Sequence, residues 1–323
     1  MTGEVWDRTP IEPQSVDAPL STSAVFLTLA LSDEDGAAAS VRDVISDLGG
    51  LVRAVGFRDL GGRLSCIVGI GSAAWDAVTA LPRPAQLRPF APVVGSVHTA
   101  VATGGDLFFH IRAERADMCF ELERILLDKL GTAVTVLDET AGFRYFESRD
   151  LLGFVDGTEN PTGAGMAHWA LVGDDDPDYA GGSYIVVQKY LHKQSAWQEL
   201  PVEAQEKIIG RTKADNIELD TDDADGTGHG RKSHKSLATI VDANGVEHDI
   251  LRDNMPFGRP GHAEFGTYFI GYSRDLWVTE QMLRNMFVGD PVGSYDRMLD
   301  FADAATGATF FAPSNDVLEG LGG

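Results

Sequence analysis

The segment Asp106-Leu-Phe-Phe-His-Ile-Arg112, followed closely by Ala116-Asp-Met-Cys-Phe-Glu-Leu-Glu-Arg-Ile-Leu-Leu-Asp-Lys-Leu130, decides the fold. Its first part is an apolar, aromatic-rich run of strand length. The second part repeats apolar residues at helical spacing, which predicts an amphipathic helix over 116–130 with Phe120, Ile125, Leu126 and Leu127 inward. The same order returns later. Gly266-Thr-Tyr-Phe-Ile-Gly-Tyr272 reads as a buried strand, and residues 278–287 as the helix after it. Strand plus helix at 108–130 and again at 268–287 indicates a duplicated unit. The pattern alone therefore gives an α+β protein in two halves.

Working outward, residues 25–31 read as a buried strand, 36–48 as a helix ended by Gly49-Gly50, and 51–57 as a second strand. A third strand at 64–70 leads to a helix at 73–80 and a proline-rich connection at 82–92. Strands at 134–137 and 144–146 close the first half. In the second half, 183–191 is a strand rich in β-branched residues, 202–210 a helix, 218–230 an acidic surface loop and 237–240 a short extended piece.

The chain of 323 residues carries 26 basic and 49 acidic side chains, a net charge of −23. Such a surface repels phosphate backbones and anionic lipid, so neither nucleic acid nor membrane is an expected partner. No apolar run reaches the length of a membrane span. Cys66 and Cys119 lie in apolar or helical context and read as buried free thiols. Residues 1–20 hold acids and prolines, with neither a basic start before an apolar core nor paired arginines. They are expected as a flexible arm on a cytoplasmic protein.

Chemistry is concentrated in two stretches. Gly153-Phe-Val-Asp156-Gly157-Thr-Glu159-Asn160-Pro161 sets an acid between glycines, after an apolar entry and before a proline. Glycine permits turns that other residues resist, and proline ends regular structure, so the loop aims Asp156 in a definite direction. An isolated Asp-Gly is more often a surface turn; the entry Leu151-Leu152-Gly153-Phe154-Val155 instead carries this one inward. Downstream come Ser233-His234-Lys-Ser236 and Ile250-Leu-Arg252-Asp-Asn254-Met-Pro-Phe-Gly258. Two other suggestions fail. Asp220–Gly226 has alanine at 224 and arginine at 231, where a calcium loop needs ligands, and Gly226–Ser233 lacks the spacing of a phosphate loop.

Together these motifs resemble the dye-decolorising peroxidases, and Arg252–Gly258 with Gly266–Tyr272 is similar to the compact bacterial subgroup called B. The resemblance runs from about residue 23 to 313. It implies two ferredoxin-like halves of the dimeric α/β barrel type, with antiparallel sheets, helices packed outside and haem in the C-terminal half. The expected organisation is a domain at 21–147, a haem-binding domain at 148–314 and a short tail at 315–323, in which no shell-docking motif is visible. The implied activity is oxidation of organic donors such as dyes and phenolics by hydrogen peroxide on one haem b per chain, through an oxoferryl intermediate. A haem-handling protein without peroxide turnover is the competing reading, and it gives no use for Asp156, Arg252 and Asn254. The broad sheets of such a fold favour a homo-oligomer; some relatives dock inside an encapsulating protein shell through a tail, and this tail lends no support to that partner.

His234 holds the family's axial-ligand position. It begins what reads as a rigid, strand-like run over 236–240, whereas His229 lies in a glycine-rich loop. A ligating histidine gives its second N–H to an acceptor. Asp296 is the candidate, with Asp300 in reserve. On the opposite face Asp156 is expected to move a proton, Arg252 to supply fixed positive charge and Asn254 to donate a hydrogen bond. Arg211 matches the propionate-binding position, and Thr267 and Phe269, alternate residues of one strand, wall the pocket. Glu159, Glu218 and Glu247 are expected to offer hard oxygens to manganese(II). Trp169, Trp197, Trp277, Tyr184 and Tyr190 are candidate electron relays, although aromatic residues are mostly core.

Overall fold

The computed structural model describes residues 12–219 and 231–322. The stretch with the rejected calcium-loop and phosphate-loop spacings lies largely outside them, as does His229. The first half runs β1 (Ser23–Leu31), α1 (Ala37–Ser46), α2 (Leu48–Gly56), β2 (Ser65–Gly71), α3 (Trp75–Thr79), β3 (Leu107–Ala113), α4 (Ala116–Leu130) and β4 (Val134–Phe143). The second runs β5 (Ser183–His192), α5 (Val202–Ile209), α6 (His234–Ala238), β6 (Met255–Arg259), β7 (Glu264–Ser273), α7 (Leu276–Phe287) and β8 (Ala308–Ala312). A helix α8 (Asn315–Gly320) follows and buries Leu318.

Each half pairs its strands in the order fourth, first, third, second: β4-β1-β3-β2, then β8-β5-β7-β6. That order, with every pairing antiparallel, is the ferredoxin-like arrangement twice over. The halves do not keep separate sheets. Phe257 pairs with Gly142, and Phe310 and Phe311 pair with Gly71 and Ile70, so the eight strands close into one barrel. Short strands at Leu251–Arg252 and Ala302–Ala304 extend β7 and β5.

Alternation along the strands sorts side chains between two environments. Val25, Leu27 and Leu29 of β1 face outward and pack in one buried cluster with Val41 and Ile45 of α1 and Leu122 and Leu126 of α4. Phe26 faces the lumen, where it stacks on Tyr268 at 4.1 Å and on His110 at 4.7 Å between ring centroids. Phe108 and Phe310 stack there at 5.3 Å. Arg112 donates to the Asp253 carboxylate at 2.7 Å and to the Ser15 carbonyl, and His110 Nδ1 meets the Tyr272 hydroxyl at 2.8 Å. The lumen is thus filled, and its pairs link one half to the other.

Several local expectations change. Residues 51–56 are helical, because Leu48, Leu51 and Val55 recur at helical spacing and are the residues α2 buries. β4 is one strand of ten residues. The expected strand at 144–146 is a turn, with Glu147 at φ 44° and Ser148 at φ 60°. Phe120 is 63% exposed, since α4 buries the stripe Met118, Cys119, Leu122, Leu126 and Leu130 on another side. The described part of the N-terminal arm is docked: Gln14 donates to Val68 O and Pro313 O and accepts from Val68 N. Both cysteines are free and buried. Among the described residues no helix is long and apolar enough to cross a membrane.

Candidate active site

His234 opens α6, where Ser233 caps the helix by accepting from the Ser236 N–H. The run expected as strand-like is therefore a helix over its first part. Ser233 and His234 read as a cap and a first-turn residue once that is known. His234 Nδ1 lies 2.6 Å from Asp296 Oδ2. Asp296 is wholly buried, and its other oxygen accepts from Met298 N at 2.9 Å. Asp300 is turned elsewhere, onto His98, Tyr295 and Arg297. Burial alone would lower the His234 pKa, but the Asp296 carboxylate outweighs it and the net shift is upward. With Nδ1 engaged, Nε2 is left for the adjoining cavity.

That cavity holds about 980 Å³ of atom-free space, counting the part open to solvent. Asp156, Arg252, Asn254, Thr267, Phe269 and His234 all line it. Gly153 at φ 96° and Gly157 at φ 77° shape the loop that brings Asp156 in; a Cβ on Gly153 would also stand 2.5 Å from Lys213 Cε. Asp156 Oδ1 accepts from Gly157 N at 2.7 Å and from Asn254 Nδ2 at 3.4 Å. Asn254 Oδ1 accepts from Ile270 N at 3.1 Å, which ties it to β7. Among the described residues no ion pair joins Arg252 to Asp156, and Arg252 Nε is buried without a partner.

A vestibule beside the cavity shares Asp156, His234 and Arg252 and adds Glu159, Arg211, Lys235, Glu247 and Asp249. Two of the three glutamates expected to offer oxygens to manganese are engaged by cations here, and Glu247 lines the same vestibule. Glu159 pairs with Arg211, and Glu218 pairs with Lys235 and lies 3.7 Å from Arg211. Among the described residues no three His, Cys, Asp or Glu side chains gather to hold a metal ion. A narrower cleft past Leu20, Tyr145 and Arg149 reaches Asp156, Arg252 and Asn254 from the other side.

Several polar lining residues escaped the sequence reading, Gln188, His192 and Asp150 among them. Gln188 and His192 alternate with Tyr190 along β5 and face the cavity, and Gln188 Nε2 and His192 Nδ1 are buried without partners. Burial holds His192 at about 4, so it is neutral at pH 7. Asp150 also lines the cavity, pushed up to about 7 chiefly by burial, with Asp156 adding to the rise. Polar residues two apart in an otherwise apolar strand were the available signal. Of the aromatic relay candidates, Tyr190 lines the cavity wall and donates to Gln188 Oε1. Trp197 is buried against Phe154 and Phe301. Trp169 and Trp277 flank His248, at 5.3 and 4.8 Å, and Trp277 is partly exposed. Tyr184 accepts from Gln86 N, with its ring in the packing outside the barrel.

Profiles of the N-terminal and C-terminal parts of Dyp-type peroxidases match residues 13–144 and 147–317. A dye-decolorizing peroxidase of Mycolicibacterium paratuberculosis is 54% identical over 312 residues, 96% of this chain and 86% of that protein. The solved structure of DyPB from Rhodococcus jostii superposes with a TM-score of 0.92 at 59% identity, covering 96% of this chain and 98% of that one. A variant of the same R. jostii protein, solved in complex with haem, superposes equally well, at 0.92. The encapsulated DyP-type peroxidase of Mycobacterium smegmatis, 53% identical, gives a TM-score of 0.90 over 95% of this chain and 97% of that one.

Proposed function

Because this chain belongs to the dye-decolorising peroxidase family, we infer that it is a haem b peroxidase, taking electrons from organic donors and passing them to hydrogen peroxide. The residues present fit the cofactor. One imidazole nitrogen is left for the cavity, Gln188 Nε2, His192 Nδ1 and Arg252 Nε stand buried and unsatisfied around it, and Arg211 offers a guanidinium in the vestibule. Buried polar atoms without partners are rare in native proteins, which suits a missing polar ligand. When bound, the haem supplies a redox-active iron that accepts peroxide.

His234 would hold the haem iron through Nε2. Donating Nδ1–H to the buried Asp296 fixes its tautomer and makes the imidazole a stronger electron donor. Across the cavity Asp156 takes the proton from one peroxide oxygen and returns it to the other. Arg252 would place fixed positive charge beside the peroxide oxygen that leaves, which the returned proton makes water. Asn254, bonded to Asp156 Oδ1, holds that carboxylate in place, and Thr267 and Phe269 wall the cavity that would receive the cofactor. Arg211 is the propionate partner, which requires Glu159 to yield. The narrow cleft at Tyr145 is the route for a molecule of peroxide size, while bulky donors react at the surface.

The observation that carries this reading is the pairing of His234 with Asp296 on a cavity that also receives Asp156, Arg252 and Asn254. The test is the absorption spectrum of protein from haem-replete cells, before and after one equivalent of peroxide. A Soret band absent from His234→Ala, and a peroxide-induced shift slowed in Arg252→Ala or Asp156→Ala, are expected. A colourless wild type, or one inert to peroxide, rejects the reading. The working partners proposed are peroxide and small organic donors, in a cytoplasmic homo-oligomer. The acidic surface argues against nucleic acid, and the kinship with an encapsulated relative makes a protein shell worth testing by co-expression.

A further inference from the structure

Arg252 belongs to the short strand at Leu251–Arg252, on the open edge of the sheet, and lies opposite Gly271 of β7. A further strand beside it would take its main-chain N–H and C=O. One side chain occupies that place. Asn160 Nδ2 donates to the Arg252 carbonyl at 2.6 Å, and Asn160 Oδ1 accepts from the Arg252 N–H at 3.0 Å. Two opposed bonds between one amide and one residue fix both the position and the rotation of that stretch of backbone, as a strand pairing would.

Asn160 is itself held. Its own N–H donates to Gly157 O at 3.1 Å, closing the turn that carries Asp156. The amide therefore locks the acid-bearing loop to the arginine-bearing strand. The rest of the tripeptide has separate anchors: Arg112 holds the Asp253 carboxylate, and Ile270 N holds Asn254. At Arg252 the guanidinium offers no such anchor, since its Nε is buried without a partner. Its placement rests on the backbone.

We propose that Asn160 is a positioning residue for peroxide activation, setting where the Arg252 guanidinium stands relative to Asp156. The inference rests on the reading of Arg252 and Asp156 given under Proposed function. It is not a catalytic role, since Asn160 bonds to the backbone and does not line the cavity.

The test uses haem-loaded wild type, Asn160→Asp, Asn160→Ser, Arg252→Ala and the double variant Asn160→Asp/Arg252→Ala. Asn160→Asp is nearly isosteric, but it removes the donor and sets a carboxylate against the Arg252 carbonyl. Two quantities are measured: the second-order rate of the peroxide-induced spectral change, and the affinity of the ferric protein for fluoride, which draws a hydrogen bond from a well-placed distal donor. The expected result is an unchanged Soret band with peroxide reaction slower by roughly 10–100-fold, the range for a misplacement of about 1 Å. Fluoride should bind several-fold more weakly. Asn160→Ser should move both quantities in the same direction. In the Arg252→Ala background Asn160→Asp should add less than about twofold, because the group it positions is gone. Wild-type rates in Asn160→Asp, a full additive loss in the double variant, or loss of the haem band in both Asn160 variants each overturn the proposal. Failure of the underlying reading looks different: the wild type then reacts slowly, or Arg252→Ala reacts as the wild type does.

Discussion

Asp296 is the residue through which the buried interior reaches His234, the histidine proposed to hold the iron. Both of its oxygens are used, one on His234 Nδ1 and one on Met298 N, and it is entirely buried. Asp296→Asn keeps the shape and removes the charge. The imidazole then donates less electron density, so the ferric–ferrous midpoint potential is expected to rise by roughly tens of millivolts. Spectroelectrochemistry checks this, and an unchanged potential would show that the charge does not reach the metal. At this scale the sequence revealed residues whose neighbours in the chain are also neighbours in space. Asp156 could be read because its glycines flank it, and His234 because of the motif around it. Asn160 and Arg112 could not, since their partners Arg252 and Asp253 lie far along the chain and meet them only through the folded sheet. For the three glutamates, closeness to a motif in sequence gave no account of their partners: Glu159 pairs with Arg211 and Glu218 with Lys235, while Glu247 lines the vestibule.

Helix α4 illustrates how an element can be placed correctly and still be turned wrongly. Its extent matched the spacing of apolar residues, yet Phe120 faces solvent and Glu123 is buried, 7% exposed, with Oε1 unpartnered. Burial, with Glu139 adding repulsion, pushes the Glu123 carboxyl up to about 7. The folded protein thus binds that proton more tightly than the unfolded chain does. Stability from this group is greatest at acid pH, declines as pH climbs through the ordinary carboxylate range to about 7, and is flat above. Glu123→Gln should therefore leave stability unchanged near pH 4 and raise it by about 1–3 kcal/mol at pH 8. Denaturant unfolding at the two pH values decides it; an equal effect at both would point to packing and not to charge. Helix α2 was misread as a strand because seven residues of mixed apolar character fit either period, and only the stripe that includes Leu48 resolves them.

At the scale of the molecule, the duplicated order of strand and helix was visible in the sequence, and the closure into one barrel was not. Closure depends on two seams of one and two residue pairs, too few to leave a pattern in either strand. One seam has outside help. Gln14 bonds to Val68 of β2 and to Pro313 just beyond β8, so it bridges the strands that meet there. Gln14→Ala leaves buried main-chain groups unsatisfied and is expected to cost about 2–4 kcal/mol. Thermal unfolding should show a fall of several degrees with the haem band intact below the transition, and an unchanged midpoint would mean that water replaces the amide. The seams being so slight, cohesion between the halves falls to side chains: in the lumen Phe26 meets Tyr268, Phe108 meets Phe310 and Arg112 meets Asp253, and outside it Trp75 meets Phe311. A polypeptide severed near residue 145 would yield two fragments, each with raw sheet margins and half of a set of interlocking rings. Neither fragment could arrange the catalytic centre alone, because the piece that holds the histidine borrows the support of its arginine strand from the piece that does not.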